Sequence, residues 1–185
     1  VLSTRGKEIA IKCDNIQSTF APYDLVNKMR ASIIVLGALL ARFEEADISL
    51  PGGCAIGLRP INFHLEALKK MGAEIEIESG HVKARAKGGL KGAHIVFDKI
   101  SVGATENILI AATLAKGTTI IENAALEPEV MALVDMLVSM GAKITQKERV
   151  FTIEGVDSLS AAKVTVMPDR IEAGSYALAT LITDG

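Results

Sequence analysis

A chain that repeats itself over tens of residues has few folds open to it, because every copy must bury the same apolar faces in the same way. This chain of 185 residues does so. Ala38-Leu39-Leu40-Ala41-Arg42 is echoed by Ala112-Thr113-Leu114-Ala115-Lys116, and again by Ala179-Thr180-Leu181-Ile182. Lys70-Met71-Gly72-Ala73-Glu74-Ile75 is echoed by Ser139-Met140-Gly141-Ala142-Lys143-Ile144. Each unit reads helix, strand, helix, then three strands. In the second unit a helix starts near Gly103 and ends by Gly117, and the β-branched stretch Thr118 to Glu122 follows as a strand. Val130, Leu133, Leu137 and Met140 recur at three- and four-residue steps, which predicts a helix from about Glu127 to Met140 with Gly141 closing it. Lys143 to Gln146, Val150 to Ile153 and Lys163 to Met167 complete the unit as strands. A third unit opens at Asp169-Arg170 and stops one helix later. Residues 1–100 thus form a first unit, 101–168 a second and 169–185 the start of a third, and the chain reads as most of one domain of something longer.

The faces dictate the packing. Helices such as Ile108–Ala115 and Ala173–Ile182 are apolar nearly all round, so they belong inside. Glu74-Ile75-Glu76-Ile77-Glu78 and His81-Val82-Lys83-Ala84-Arg85 alternate, so those strands have one wet face. A doubly wound parallel sheet would instead show continuous Val/Ile strands buried on both sides. The pattern predicts an inside-out α/β barrel domain, with helices inside and sheets outside.

Composition narrows the partners. Twenty Lys and Arg against 22 Asp and Glu give a net charge of −2, which argues against nucleic acid or an anionic membrane as a bulk-charge partner. The longest uncharged apolar run, Ile33 to Ala41, falls far short of the roughly 20 residues a membrane span needs. With no charged-then-apolar leader, the expectation is a cytoplasmic protein whose two cysteines, Cys13 and Cys54, stay reduced.

The copies differ in length. Ala41 to Gly72 is 31 positions, while the matching Ala115 to Gly141 is 26, so the first copy carries about five more. The surplus lies in Leu50-Pro51-Gly52-Gly53-Cys54-Ala55-Ile56-Gly57-Leu58-Arg59-Pro60, a loop between the strand Asp47–Leu50 and a helix starting near Pro60. Insertions of this kind carry function more often than repeat cores do. Cys54 at its middle has two readings: a small buried hydrophobe, or an exposed thiol whose pKa is lowered by Arg59 at a helix start. Cys13, in the alternating segment Glu8–Cys13, reads as the buried hydrophobe.

Lys99-Ile100-Ser101-Val102-Gly103-Ala104-Thr105 is a second candidate. Ser101 suits an N-cap, Gly103 lets a ligand approach the backbone, and Lys99 adds charge where the helix dipole is already positive. An ordinary cap explains the same residues. Arg30 and Arg59 are further cations near helix starts of the first unit, and Asp169-Arg170 stands at the matching place in the third. Cations gathered at a helix N-terminus suit a phosphorylated ligand. Glu127-Pro128-Glu129 is most simply an acidic helix start. His64, in the helix from Pro60 to Met71, defaults to packing or surface. His81 and His94 have no neighbours that suggest a metal.

These stretches resemble the enolpyruvyl transferase family, and within it the UDP-N-acetylglucosamine 1-carboxyvinyltransferases. The Cys54 loop with Arg59 is the most specific match. Ala21-Pro22-Tyr23-Asp24-Leu25-Val26, Met29-Arg30-Ala31-Ser32, Leu90-Lys91-Gly92-Ala93-His94-Ile95, Ser101–Thr105, Gly117–Ala125 and Pro168–Glu172 follow in order along the whole chain.

The resemblance implies a two-domain enzyme with substrates in the cleft between domains. It implies transfer of the enolpyruvyl group of phosphoenolpyruvate to the 3-hydroxyl of UDP-N-acetylglucosamine, with release of phosphate and no metal or organic cofactor. Cys54 would be the proton-donating thiol of a closing loop and the target of the epoxide fosfomycin. Arg59 would hold phosphoenolpyruvate, with Arg30 beside it toward the nucleotide sugar. Lys99, Ile100, Ser101, Val102 and Gly103 would face the diphosphate. Pro60, Ile61, Asn62 and Phe63 would line the uridine, and Glu129 and Arg170 would border the cleft. Asn62 departs from the Asp that the family often carries, which bears on the hydrogen bonds to uracil. The family's Lys-Asn pair falls before Val1, and its Asp base and a further Arg fall after Gly185, so the chain alone is expected not to turn over. Two alternatives stand: a 5-enolpyruvylshikimate-3-phosphate synthase-like transferase, whose members lack the Cys loop, and a non-catalytic repeat domain that binds nucleotide sugar.

Overall fold

Two alternating strands and one β-branched strand form where the sequence puts them: Glu74–Glu78, His81–Arg85 and Thr118–Glu122 are all strands with those bounds. The computed structural model describes residues 2–50 and 61–183. In chain order the strands are β1 (Leu2–Arg5), β2 (Glu8–Ile11), β3 (Phe20–Ala21), β4 (Glu45–Ser49), β5 (Glu74–Glu78), β6 (His81–Arg85), β7 (His94–Val96), β8 (Thr118–Glu122), β9 (Lys143–Lys147) and β10 (Val150–Glu154). The helices are α1 (Tyr23–Val26), α2 (Val35–Phe43), α3 (Asn62–Lys70), α4 (Val102–Ala112), α5 (Pro128–Ser139) and α6 (Arg170–Thr183), with a 3₁₀ turn at Arg30–Ile34 before α2.

The repeat is visible as topology. One sheet has the order β3-β4-β6-β5 and the other β7-β8-β10-β9, each with one parallel pair at its edge and two antiparallel pairs. The last strand of the first sequence unit, β7, is therefore hydrogen-bonded into the second sheet: its connection crosses over to lie parallel to β8. The inward rows are Ile48, Val82 and Ala84 in one sheet and Ile121, Phe151 and Ile153 in the other, all buried. Their alternates Lys83 and Arg85 are exposed, as a one-sided sheet requires.

The apolar helix of the second unit is interior. On α4, Ala104, Thr105, Asn107, Ile108, Leu109, Ala111 and Ala112 are all buried. It ends at Ala112 in a turn, short of Gly117. Helix α2 packs directly on it at Gly37, where a Cβ would run into Asn107 Oδ1 and sit 2.6 Å from the Asn107 carbonyl oxygen. Gly72 and Gly141 each follow a helix at positive φ, +93° and +102°, so the two copies end their outer helices the same way.

Three expectations fail for one reason, the absence of a packing partner among the described residues. Lys163 to Met167 forms no strand, because none of the described strands offers it a ladder. Helix α6 forms, with Asp169 Oδ1 accepting from the N–H groups of Ile171 and Glu172, but none of its residues is buried. Ile171, Tyr176, Leu178, Leu181 and Ile182 all face outward. Cys13 is exposed rather than buried. It lies just past β2, whose residues are all exposed in a two-stranded hairpin with β1.

Candidate functional site

The first turn of α4 carries Ser101, Val102 and Gly103 of the expected site, with Lys99 and Ile100 just before it. Ser101 is its N-cap: the Ser101 Oγ accepts from the Ala104 N–H at 3.3 Å, and its carbonyl accepts from Thr105 N–H at 3.0 Å. Val102 and Gly103 form the half-buried start of the helix, while Lys99 and Ile100 are exposed in the segment before it. The α4 N-terminus therefore carries its partial positive charge close to a lysine.

His64 stands against this turn. It lies on α3, 5% exposed, and a Cβ on Gly103 would be 3.4 Å from its Cε1 and 3.7 Å from its Nε2. Its Nδ1 is 3.0 Å from the amide nitrogen of Asn107, one helical turn further along α4. Burial, reinforced by the positive charge of Arg30 at the start of the 3₁₀ turn, lowers its pKa from 6.5 to about 4. The ring is thus neutral at pH 7. His64 of α3 thus lies against the first turn of α4, and Arg30 of the 3₁₀ turn is near enough to act on its ring.

Ile61 and Asn62 open α3, the latter exposed. Phe63 is half-buried with its ring edge-on to Phe97, centroids 6.3 Å apart. Cys54, Arg59 and Pro60 lie outside the described residues.

A second group gathers on the α5 side of α4. Arg170 donates from Nε and a terminal nitrogen to both oxygens of Glu129, at 3.0 and 2.8 Å, joining the start of α6 to the first turn of α5. The hydrogen bond from Arg170 holds the Glu129 carboxyl below its usual range. Glu106, half-buried on α4, is shifted upward by burial and by the like charges of Glu129 and Glu127. Among the described residues no group of three His, Cys, Asp or Glu is placed to hold a metal, and no helix is long and apolar enough to cross a membrane.

Sequence reasoning gave His64 no role beyond packing or surface and passed over Asn107. The available signal was polarity in the wrong place: an Asn inside a helix apolar nearly all round, and a His among Leu65, Ala67 and Leu68, each need a buried partner. They are each other's.

Two sheets of the same strand order and a buried helix capped by Ser101 define an α/β repeat domain. The chain belongs to the EPSP synthase (3-phosphoshikimate 1-carboxyvinyltransferase) family, whose sequence model matches residues 2–185. It is 57% identical over 189 residues to the UDP-N-acetylglucosamine 1-carboxyvinyltransferase of Shewanella woodyi, covering 100% of this chain and 44% of that protein. The protein of the same name from Shewanella sediminis is 59% identical over 184 residues, covering 97% and 43%. That from Psychrobacter sp. (strain PRwf-1) is 57% identical over 187 residues, covering 100% and 43%. The chain spans less than half the length of these relatives. Among solved structures, the enolpyruvyl transferase NikO from Streptomyces tendae superposes with a TM-score of 0.82 at 23% identity, covering 96% of this chain and 43% of that one. EPSP synthase from Acinetobacter baumannii gives 0.56 at 21% identity, over 70% and 29%. Both likenesses concern the fold.

Proposed function

We propose that the whole protein to which this chain belongs transfers the enolpyruvyl group of phosphoenolpyruvate to the 3-hydroxyl of UDP-N-acetylglucosamine, the opening step of peptidoglycan synthesis. The observation that carries this reading is 57–59% identity along essentially the entire chain to proteins bearing that name. The sequence of the Cys54–Arg59 loop supports it against the shikimate branch of the family.

The chemistry suits the residues. The sugar oxygen bonds to the enol carbon while a proton is added at the methylene carbon, and the hydroxyl proton leaves to a base. The carbon–oxygen bond to phosphate then breaks and the added methyl group gives up a proton, so the enol ether and free phosphate balance the substrates. Cys54 supplies the proton to carbon. Arg59 and Arg30 hold the donor's phosphate and carboxylate, as guanidinium forks do well. Lys99, Ile100, Ser101, Val102 and Gly103 receive the diphosphate at the α4 N-terminus. Pro60, Ile61, Asn62 and Phe63 line the uridine, and Glu129 and Arg170 edge the cleft. The mechanism calls for no metal or organic cofactor.

The fold belongs to this reading as an inside-out barrel, with α6 as the third inner helix beside α2 and α4. Residues 1–100, 101–168 and 169–185 are its two whole units and the start of a third, and a partner domain closes the cleft. The protein works in the cytoplasm and is inactivated by fosfomycin at Cys54.

Phosphate release decides the matter. The full-length protein mixed with phosphoenolpyruvate is expected to release phosphate with UDP-N-acetylglucosamine and not with shikimate 3-phosphate; the reverse preference rejects the reading. Cys54→Ser is expected to lose fosfomycin labelling and most turnover, and an unaffected variant would remove Cys54 from the chemistry; no phosphate release from the wild type would favour a non-catalytic nucleotide-sugar domain. The 185-residue chain alone is expected to show no turnover.

A further inference from the structure

The side chain of Asn107, fully buried on α4, is oriented by its neighbours. The Gly37 N–H can only donate, so the amide atom 2.9 Å from it is Oδ1. The amide nitrogen then faces the Ile33 carbonyl at 3.3 Å and His64 Nδ1 at 3.0 Å. Two hydrogens meet two acceptors, so Nδ1 accepts and the one proton of the neutral imidazole sits on Nε2. That nitrogen belongs to the ring edge against Gly103.

We propose that Asn107 is a positioning residue: by donating to His64 Nδ1 it fixes the ring as its Nε2–H tautomer, making His64 a neutral hydrogen-bond donor to the phosphate-bearing substrate at the N-terminus of α4. The nature of the ligand rests on the transferase reading; the tautomer does not. A neutral donor matters because Arg30 already brings a charge to the ring, and a second cation beside it would be repelled. The same amide ties α4 to the 3₁₀ turn, to α2 and to α3, so the donor is set by the packing of four elements.

Long-range ¹H–¹⁵N spectra of the full-length protein carrying ¹⁵N-histidine read the protonated nitrogen directly, with His64 assigned by its loss in His64→Gln. The Nε2–H form is expected at pH 7, and an Nδ1–H or charged ring overturns the proposal whatever the activity. In Asn107→Asp an oxygen replaces the donor, so Nδ1 becomes protonated and the ring charges at a higher pH. The KM for UDP-N-acetylglucosamine is expected to rise by about tenfold, the worth of one hydrogen bond, with kcat changing less. An Asp variant that keeps the Nε2–H ring, or loses kcat and KM together without moving the tautomer, has only a structural amide and rejects the positioning role. If that variant does not fold, the wild-type spectrum decides alone. Absence of transfer in the wild type with the expected tautomer defeats the transferase reading and the ligand named here, and leaves Asn107's hold on the ring standing.

Discussion

Burial and the guanidinium of Arg30 hold the His64 imidazole at about 4, against 6.5 for an exposed histidine. The linkage to stability follows in sign from which state binds the proton first. Above pH 6.5 the ring is neutral in both folded and unfolded chains and contributes nothing. As the pH falls, the unfolded chain takes up a proton that the folded one refuses, so stability drops between about 6.5 and 4. It levels off once the folded ring also charges, after a total loss of about 3 kcal/mol. Urea unfolding at pH 7 and pH 4.5 measures this, and His64→Gln is expected to remove that part of the pH dependence. A variant that tracks the wild type at both pH values would show that His64 titrates normally. This behaviour was not legible in the sequence, because a His at one helical position looks the same whether its ring meets water or an amide 43 residues away. Ser101 was legible, since a cap acts within three residues of itself.

Local signals of that kind explain why the elements were read so well. Alternation placed β5 and β6 and β-branching placed β8 to the residue, and the apolar pattern placed α5 within one residue of its ends. Both outer helices stop at a glycine with positive φ, Gly72 and Gly141, and a Cβ at either would meet nothing within 4 Å. Replacement by Ala therefore tests the backbone alone. Gly72→Ala and Gly141→Ala are each expected to cost about 1 kcal/mol, the strain of placing a Cβ in the left-handed region. Chemical denaturation should find the two losses alike and additive, because the sites belong to separate copies. A loss at one position only would mean that the copies no longer share their helix ends. The strand expected over 163–167 failed where its neighbours succeeded because a strand, unlike a cap, needs a second segment to pair with.

A helix apolar on most sides announces that it belongs inside, but not what will surround it. Helix α4 finds its surroundings among the described residues, against α2, α3, α5 and the strands β8 and β10, and is buried. Helix α6 repeats the Ala-Thr-Leu motif found at the C-terminal end of α4 and yet leaves Ile171, Tyr176, Leu178, Leu181 and Ile182 in solvent. Among the described residues its firm side-chain tie to the rest is the Arg170–Glu129 pair, whose partners are 44% and 38% exposed, and an exposed ion pair holds a helix in place only weakly. The chain covers about 44% of the length of the Shewanella woodyi relative, and in the proposed barrel the remainder of the whole protein would cover this helix. Amide hydrogen exchange separates the two environments. In the 185-residue chain α4 is expected to exchange slowly and α6 quickly, since few buried contacts oppose its opening. In the full-length protein α6 is expected to become as protected as α4, its apolar face covered by the rest of its own unit. Exchange from α6 that stays fast in the full-length protein would remove the third inner helix, and with it the closed barrel, while leaving the two repeated sheets and the site on α4 intact.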